Sequence, residues 1–293
     1  KGKSHFGENA AFDKTLPTNY LADEVIDDNK VDALLAKKYD ETIVIAEDDP
    51  EILAYLKDEL STNFRVIAVN NGYDAVKAVM DNEVSLILSD VLMPALNGFQ
   101  LCSNIKSNIA TCHIPIVLLT ALSDDNQRIY GIAEGADEYI HKPFNMQYVR
   151  LKIIRIIEER RRLADTFAQK FGRLTRHEAA NLPCVDDVFR DKLFNLIEAQ
   201  HSDSNFKIEL MSDMLGMSRI LLYRKITSIF GMSPSDLLRN FRLQKAVQLL
   251  TDQRRNVSEV AYTVGFSSPA YFAKCFKSVY NMTPTEYMYR TQK

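Results

Sequence analysis

The 293-residue sequence contains no long hydrophobic run and no closely spaced pair of cysteines. Its longest apolar stretch, residues 114–122, includes a proline and is far shorter than the roughly 20 residues that a membrane-spanning helix needs. The cysteines lack the C-x-x-C spacing of zinc sites and redox motifs, which favours free thiols in a reducing cytoplasm. They are Cys102, Cys112, Cys184 and Cys275. We therefore expect a cytoplasmic chain without a membrane span and, because it begins at Lys1 rather than at methionine, a part of a longer protein.

The net charge of −3 hides a difference between two regions of the chain. Residues 41–163 carry 12 basic and 18 acidic side chains, which gives −6, whereas residues 186–293 carry 15 basic and 11 acidic side chains, which gives +4. An acidic region and a basic region indicate different partners. A solvated surface can also carry a basic excess of this size, so only the positions of the charges can distinguish a binding surface from an ordinary one.

Residues 41–163 alternate short β-branched runs with amphipathic segments. The strands are predicted at 42–46, 65–69, 85–89, 115–119 and 138–140, and the helices at 50–61, 72–81, 98–107, 125–134 and 145–163. Five units of this kind predict an α/β doubly wound parallel five-stranded sheet, because parallel neighbours need crossover connections. Right-handed crossovers then place the first and third strands side by side.

Polar side chains follow four of the predicted strands. Glu47 and Asp48 come after the first strand and Asp90 after the third, while Thr120 and Lys142 follow the last two. Since the carboxyl ends of parallel strands share one edge of the sheet, we expect these side chains to converge. Carboxylates about 4 Å apart repel by roughly 4 kcal/mol at an effective dielectric near 20, and an all-oxygen site of this kind suits Mg²⁺. The alternative is that each acid only caps the helix that follows it.

The order and spacing of these motifs resemble those of response regulator receiver domains over about 120 residues. The motifs are Ile45-Ala46-Glu47-Asp48-Asp49, Ser89-Asp90-Val91-Leu92-Met93-Pro94-Ala95-Leu96-Asn97-Gly98, Leu119-Thr120-Ala121 and His141-Lys142-Pro143-Phe144. The resemblance implies a flavodoxin-like fold in which Asp90 accepts a phosphoryl group, and Mg²⁺ is bound by Glu47, Asp48, Asp90 and the backbone carbonyl of Leu92. It further implies that Thr120 and Lys142 bind the phosphoryl oxygens and that Tyr139 is the switch aromatic.

Two segments on either side of this region carry less chemistry. Residues 151–169 are predicted as one helix whose polar patch, residues 158–162, fits a linker or a dimer seam, and the linker is expected to end near Asn181-Leu182-Pro183. Residues 1–40 are expected to be a linker, disordered by default. Residues 1–6 nevertheless resemble the end of the ATP-binding domain in hybrid two-component proteins, where sensor, kinase, receiver and DNA-binding domains share one chain.

The C-terminal region contains an internal repeat. Leu215-Gly216-Met217-Ser218 aligns with Val264-Gly265-Phe266-Ser267 at an offset of 49, and Phe230-Gly231-Met232-Ser233-Pro234 aligns with Tyr280-Asn281-Met282-Thr283-Pro284 at an offset of 50. Each copy places a glycine between two helices and a serine where the second helix would be capped. This pattern predicts an all-α domain with two helix-turn-helix units.

The doubled unit resembles the AraC family of transcription regulators over residues 186–293, with Val264-Gly265-Phe266-Ser267-Ser268, Tyr271-Phe272, Phe276-Lys277 and Thr283-Pro284 as its signature. Residues at core spacing are expected to pack inside. They are Met217, Leu222, Ile226, Phe266, Phe272 and Phe276. The residues expected to meet DNA bases or phosphates are Ser218, Arg219, Ile220, Tyr223 and Arg224 in the first unit and Ser267, Ser268, Pro269, Ala270 and Lys274 in the second.

The predicted organisation is therefore an N-terminal linker (1–40), a receiver (41–163), a helical linker (164–185) and an AraC-type DNA-binding domain (186–293). The predicted function is a phosphorylation-controlled transcription regulator whose partners are double-stranded DNA, a histidine-kinase phosphodonor and, when phosphorylated, a second copy of the chain. One alternative is an Mg²⁺-dependent aspartyl-phosphate phosphatase, but such enzymes usually carry an acid two residues after the nucleophile, where this sequence has Leu92. The other alternative is an interaction scaffold without phosphotransfer.

Overall fold

The computed structural model describes residues 28–121, 135–171, 186–251 and 256–290. The chain divides into two compact units, one formed by residues 1–107 and 114–157 and the other by residues 108–113 and 158–293. The predicted helix at 125–134, the motif at residues 1–6, the predicted linker end at 181–183 and Cys184 lie outside the described residues. In the part of the chain that is described, no helix is both long and apolar enough to cross a membrane.

The first unit is built on a five-stranded parallel sheet with the strand order β2-β1-β3-β4-β5. Its elements are α1 (Asp28–Ala36), β1 (Thr42–Ala46), α2 (Pro50–Ser61), β2 (Arg65–Val69), α3 (Gly72–Asp81), β3 (Leu86–Asp90), α4 (Gly98–Ser107), β4 (Ile116–Thr120) and β5 (Glu138–His141). The predicted doubly wound sheet is confirmed, with β1 paired to β3 as expected. Strands β3, β4 and β5 end one residue later than predicted, so Asp90 and Thr120 are the last residues of their strands.

Successive residues of β1 pack on opposite faces of this sheet, as strand geometry requires. Ile43 and Ile45 belong to one hydrophobic core, and Val44 and Ala46 belong to the other. Every residue of β3 and β4 is buried. A central strand buried on both faces leaves only its ends available for chemistry, which places the candidate site at the carboxyl edge of the sheet.

Residues 28–40 differ from the linker predicted for them, because they form α1 and pack on the first unit. Leu35 and Tyr39 are buried, and the Tyr39 ring stacks on Phe64 with centroids 5.2 Å apart. The side chain of Asn63 donates to the Leu35 carbonyl at 2.9 Å, and Arg150 Nη2 donates to the same carbonyl at 2.9 Å. These bonds satisfy a carbonyl near the end of α1 and fix the segment on the unit.

The second unit is all-helical among its described residues. Its elements are the C-terminal half of α5 (Met146–Phe171), then α6 (Asp187–Gln200), α7 (Ile208–Leu215), α8 (Arg219–Phe230), α9 (Pro234–Thr251), α10 (Val257–Thr263), α11 (Pro269–Tyr280) and α12 (Pro284–Arg290). Phe167 of α5 is buried against Phe194 and Phe230, with ring centroids 6.2 Å and 4.7 Å away. The residues predicted to be core, from Met217 to Phe276, are all buried.

The two helix-turn-helix units are α7–α8 and α10–α11. Gly216 and Gly265 lie in the two turns with φ of 67° and 89°, a left-handed conformation that favours glycine. Ser218 caps α8 by accepting from the Leu221 amide, whereas α11 is capped by Ser268, which accepts from the Tyr271 amide. The predicted equivalence of Ser218 and Ser267 is therefore wrong for capping. From the glycine to the capping serine, the second turn is one residue longer than the first, so the cap is Ser268 and not Ser267.

Candidate functional site

Three carboxylates meet at the carboxyl edge of the sheet. Glu47, Asp48 and Asp90 each offer an oxygen atom, and these atoms lie within 4.8 Å of one another. Glu47 is 1% exposed and Asp90 is 7% exposed, while Asp48 is open to solvent. Because β1 and β3 are neighbours in register, the chain places residues 43 positions apart on one small patch of negative charge.

Lys142 neutralises part of this charge. Its Nζ lies 2.8 Å from Glu47 Oε2 and 3.1 Å from Asp90 Oδ2. The lysine is held in place by its backbone, because its amide donates to the carbonyl of Thr120 at 2.7 Å. One ammonium is therefore shared by two of the three carboxylates, and the cluster keeps a net negative charge that attracts a cation.

The pKa values respond to this arrangement. Burial raises the pKa of Glu47, the hydrogen bond from Lys142 works against that rise, and the charge of Asp90 adds to it, so the pKa is raised overall. Burial alone would lower the pKa of Lys142, but the hydrogen bond to Glu47 and the charge of Asp90 outweigh burial and raise it. Lys142 is thus held in its charged form at neutral pH.

The alternative role of these acids, capping a helix, applies to one neighbouring residue. Asp49 caps α2 by accepting from the amides of Glu51 at 2.8 Å and Ile52 at 3.1 Å. Asp90 instead accepts from the amide of Val91 at 2.8 Å and lies well before α4. Capping therefore explains Asp49 and leaves the cluster to another role.

The remaining predicted residues lie at the end of β4, on β5 and in the loop after β3. Thr120 ends β4 and is 6% exposed, next to Lys142 through the backbone bond described above. Tyr139 on β5 is half-buried and packs against the core on one face of the sheet. Leu92 follows Asp90 by two residues and is 58% exposed, so its side chain packs little and its residue contributes chiefly backbone.

Gly98 allows the loop after Asp90 to fold back on β3. A Cβ at Gly98 would overlap the carbonyl oxygen of Asp90 and lie 2.9 Å from Val91 Cα. The amide of Gly98 donates to the Val91 carbonyl at 3.0 Å. This close approach requires glycine and fixes the backbone on either side of Asp90.

The donor set fits a hard divalent cation. Mg²⁺ prefers oxygen ligands and usually takes one or two protein carboxylates while keeping several waters. The cluster supplies three carboxylates, one of them exposed, beside a lysine that occupies only one side of Glu47 and Asp90. Glu47, Asp48 and Asp90 are the groups that would hold it.

The first helix-turn-helix unit exposes the start of α8. Arg219 and Ile220 are exposed in its first turn, and Tyr223 is exposed one turn later. Arg219 Nη1 forms an ion pair with Glu209 of α7 at 3.3 Å, and both side chains are exposed. Arg224 is only half-exposed and makes a contact of its own, so it is less available than predicted.

The second unit exposes a different set on α11. Ala270 and Lys274 are exposed, Pro269 is half-buried at the start of the helix, and Ser268 is used as the cap. Ser267 is exposed in the turn. Tyr271 is 52% exposed on the same face as Lys274. It was not predicted as a candidate because its position in the sequence fits the aromatic core pattern.

A buried ion pair behind α8 was also missed. Lys225 is fully buried, and its Nζ lies 2.7 Å from Asp186 Oδ2 and 4.6 Å from the centre of the Phe189 ring. Asp186 also caps α6 by accepting from the Phe189 amide at 2.8 Å. The sequence gives no local signal for this pair, because its members lie 39 residues apart on separate helices.

Comparison with known families matches residues 43–154 to the response regulator receiver domain and residues 211–290 to a helix-turn-helix domain. The chain therefore contains a response regulator receiver domain followed by an AraC-type helix-turn-helix domain. These two domains together fit a two-component response regulator with a DNA-binding output.

Individual relatives cover either the whole arrangement or one part of it. Histidine kinase P4 of Formosa agariphila is 38% identical over 266 residues, which cover 91% of this chain and 19% of that protein. The transcriptional regulatory protein GltR of Pseudomonas aeruginosa is 38% identical over 113 residues, which cover 38% of this chain and 47% of that protein. A solved receiver domain of a histidine kinase from Syntrophus aciditrophicus is 34% identical and covers 41% of this chain and 91% of that one, with a TM-score of 0.39. The chain thus spans about a fifth of the first relative and about half of the second.

Proposed function

We propose that a histidine kinase transfers a phosphoryl group to Asp90 and that this modification controls DNA binding by the C-terminal unit. The observation that carries the proposal is the cluster of Glu47, Asp48 and Asp90 with Lys142 bound to two of its members. In the transfer, a carboxylate oxygen of Asp90 forms the new P–O bond, the P–N bond of the phosphohistidine breaks, and the freed imidazole nitrogen takes up a proton.

The side chains around Asp90 have distinct tasks in this reaction. Bound Mg²⁺ would neutralise charge on the phosphoryl oxygens. Lys142 is already charged and within 3.1 Å of Asp90, so it can move from the carboxylate to a phosphoryl oxygen without a long displacement. Thr120 supplies a hydroxyl at the end of the neighbouring strand. Tyr139 is the aromatic side chain that would turn inward when Thr120 moves towards the phosphoryl group.

Phosphorylation is tested with a small phosphodonor. Wild-type protein incubated with acetyl phosphate and Mg²⁺ is expected to gain the mass of one phosphoryl group, and Asp90→Asn is expected to gain none. Asp49→Asn is the matched control, because Asp49 is adjacent to the cluster but caps α2. This substitution leaves the three carboxylates of the cluster intact. Full labelling of Asp90→Asn would remove the assignment of the acceptor.

Cation binding is tested without phosphorylation. A ligand at about 100 times its Kd stabilises the folded state by about 2.7 kcal/mol. Addition of Mg²⁺ should therefore raise the melting temperature of wild-type protein, and Asp48→Asn should lose most of that rise. Asp48→Asn should also be no less stable than wild type in metal-free buffer, because one of three repelling carboxylates has been neutralised. Equal stabilisation of both proteins by Mg²⁺ would contradict the proposed site.

DNA binding is proposed for the exposed faces of α8 and α11. The recognition helices of helix-turn-helix proteins enter the major groove and read bases with their N-terminal residues, where α8 exposes Arg219 and Ile220. We expect sequence-specific binding to double-stranded DNA. Selection from a random duplex library tests this, and failure to enrich any sequence would contradict it.

Dimerisation is proposed as the route by which phosphorylation raises DNA affinity. Moving a two-state equilibrium from 1:99 to 99:1 needs about 5.5 kcal/mol, a large amount for one set of phosphoryl contacts. Two DNA sites bound by one dimer can add to it. Sedimentation with and without a phosphoryl mimic, on and off DNA, tests this route. A chain that stays monomeric on DNA yet gains affinity on phosphorylation would contradict it.

The phosphodonor is proposed to lie in the same polypeptide. The relative that aligns over 91% of this chain is named a histidine kinase, and this chain spans 19% of its length. A hybrid protein of this kind would be tethered to the membrane by its sensor and would keep both units described here on the cytoplasmic side. Sequencing the gene upstream of the codon for Lys1 tests the proposal, and a start codon there without a kinase core would contradict it.

A further inference from the structure

We infer that Arg242 and Gly265 form a rigid joint between the two helix-turn-helix units and thereby set the spacing of the two DNA half-sites that they read. The inference rests on the proposed DNA binding of α8 and α11. It concerns the connection between the two helix-turn-helix units and not the exposed faces of α8 and α11.

Helix α9 belongs to both units at once. Phe241 lies in the hydrophobic core that contains α8, whereas Leu243 lies in the core that contains α11. Arg242 stands between these two residues, at the point where one core ends and the other begins. A residue at this position can act on the angle between the units without belonging to either core.

The guanidinium of Arg242 binds the loop between α6 and α7, which leads into the first unit. Its Nε donates to the His201 carbonyl at 2.8 Å, and its Nη2 donates to the carbonyls of Asp203 at 2.7 Å and Phe206 at 3.3 Å. The donors of a planar guanidinium have a fixed geometry and can hold three carbonyls in one arrangement, whereas the three donors of a lysine ammonium rotate on a flexible stem. The loop is thereby fastened to the middle of α9.

The second unit reaches the same point through its turn. A Cβ at Gly265 would overlap the carbonyl oxygen of His201 and would lie 2.9 Å from Arg242 Nε. The turn of the second unit therefore touches the carbonyl that Arg242 holds in the first unit. Glycine is required there both by this approach and by its φ of 89°.

The joint has a direct consequence for DNA recognition. Two recognition helices that read successive major grooves need centres about one helical turn apart, and this distance must be kept if both are to bind together. A rigid joint makes binding of the second unit effectively intramolecular, so affinity depends on the spacing of the half-sites. A loose joint keeps each half-site contact but weakens the dependence on spacing.

Spin-label distances test the joint in the full chain without DNA. Labels carried on p-acetylphenylalanine at Met214 of α7 and Tyr262 of α10 use two exposed positions and leave the native cysteines unchanged. Wild type is expected to give one narrow distance distribution, and Arg242→Met a clearly broader one. Arg239→Met is the matched control, because Arg239 lies one turn earlier on α9 and pairs within the helix with Asp236. Equal widths for Arg242→Met and Arg239→Met would overturn the joint.

DNA binding by the same variants tests the positioning role. A duplex selected with wild-type protein is compared with duplexes that carry each half-site alone and with duplexes that have one or two extra base pairs between the half-sites. Arg242→Met is expected to lose about tenfold or more in affinity for the full site, to bind single half-sites like wild type, and to discriminate less against the added base pairs. Arg242→Lys should lie between the two, and Gly265→Ala should resemble Arg242→Met.

The outcomes are distinguishable from failure of the proposed function. Unchanged spacing discrimination in Arg242→Met would overturn the positioning role even if the distances broaden. Equal losses on half-sites and full sites would show a general loss of folding and would also overturn it. If wild type selects no sequence at all, the proposed function fails, while the spin-label distances still decide whether the joint is rigid.

Discussion

Helices α8 and α11 occupy the same place in the two helix-turn-helix units, and their residues align at an offset of 50. Leu222 corresponds to Phe272 and Ile226 to Phe276, and all four are buried. The aligned position between them holds Lys225 in the first unit and Cys275 in the second, both also buried. The two units therefore share a backbone and an apolar pattern but differ in one buried polar group. The difference shows that the same helix can be held either by packing alone or by packing together with an ion pair to α6.

The largest expected effect comes from removing this ion pair. Lys225→Met keeps most of the side-chain volume but leaves Asp186 without the ammonium 2.7 Å away. Removing one member of a buried pair costs about 3–5 kcal/mol. The free energy of unfolding in guanidinium of the compact helical unit, residues 108–113 and 158–293, should therefore fall by that amount. Lys274→Met, at an exposed position of α11, is the control and should change stability by less than about 0.5 kcal/mol. A shift of under about 1 kcal/mol for Lys225→Met would mean that both units are held by packing alone.

The second effect distinguishes how the two units meet DNA. Arg219 is exposed in the first turn of α8, whereas the aligned residue of α11 is Pro269. Arg219→Ala is expected to lose about 1–3 kcal/mol of binding and to relax one base position, because arginine binds guanine through two hydrogen bonds. Lys274→Ala is expected to weaken all sequences alike and to lower the salt slope by about one.

Binding isotherms at several salt concentrations measure both quantities, with Lys192→Ala on α6 as the control for a lost surface charge. If Arg219→Ala weakens all sequences equally, the first unit anchors phosphates and does not read bases.

The site at the edge of the sheet was easier to predict from the sequence than the contacts made by the helices of the DNA-binding region. A parallel sheet forces the ends of β1 and β3 together, so Glu47 and Asp90 could be paired from strand order alone. Lys225 and Asp186 have no such constraint, since the contact depends on how two helices pack. The contacts of Arg242 were equally difficult to predict, because its partners are backbone carbonyls, which every sequence has. Ser267 was misassigned as the cap because the longer turn of the second unit changes the alignment by one residue.

The third effect concerns the last residue of each recognition helix, Phe230 in α8 and Tyr280 in α11. Burial raises the pKa of Tyr280 to about 12, with a further contribution from Tyr287. In the unfolded chain a tyrosine ionises near its ordinary value of 10, so the neutral form stabilises the fold fully below about pH 10. This contribution is lost as the pH rises from 10 towards about 12.

Tyr280→Phe, which gives the second unit the residue of the first, should remove about 1–2 kcal/mol of this alkaline dependence, after allowance for partial exposure. Urea unfolding at several values between about pH 9 and about pH 11.5 measures it. Tyr289→Phe is the control, since Tyr289 is 66% exposed. Identical pH dependence in the two variants would show that Tyr280 ionises freely in the folded unit.

The last effect lies in the turns that end α8 and α11, where Gly231 and Asn281 have left-handed φ values of 64° and 57°. Asparagine tolerates this conformation less well than glycine, so Asn281→Gly should stabilise the second unit by less than about 1 kcal/mol.

The reverse change, Gly231→Asn in the first unit, should not have an equal and opposite effect. A Cβ at Gly231 would lie 2.9 Å from the carbonyl oxygen of Ala164 and 3.3 Å from Ala168 Cβ, because α5 packs directly on this turn. Gly231→Asn should therefore destabilise by about 1–3 kcal/mol, as overpacking does. Thermal unfolding of the two variants measures the asymmetry. Equal and opposite changes would mean that backbone conformation alone separates the two turns and that α5 places no demand on the first.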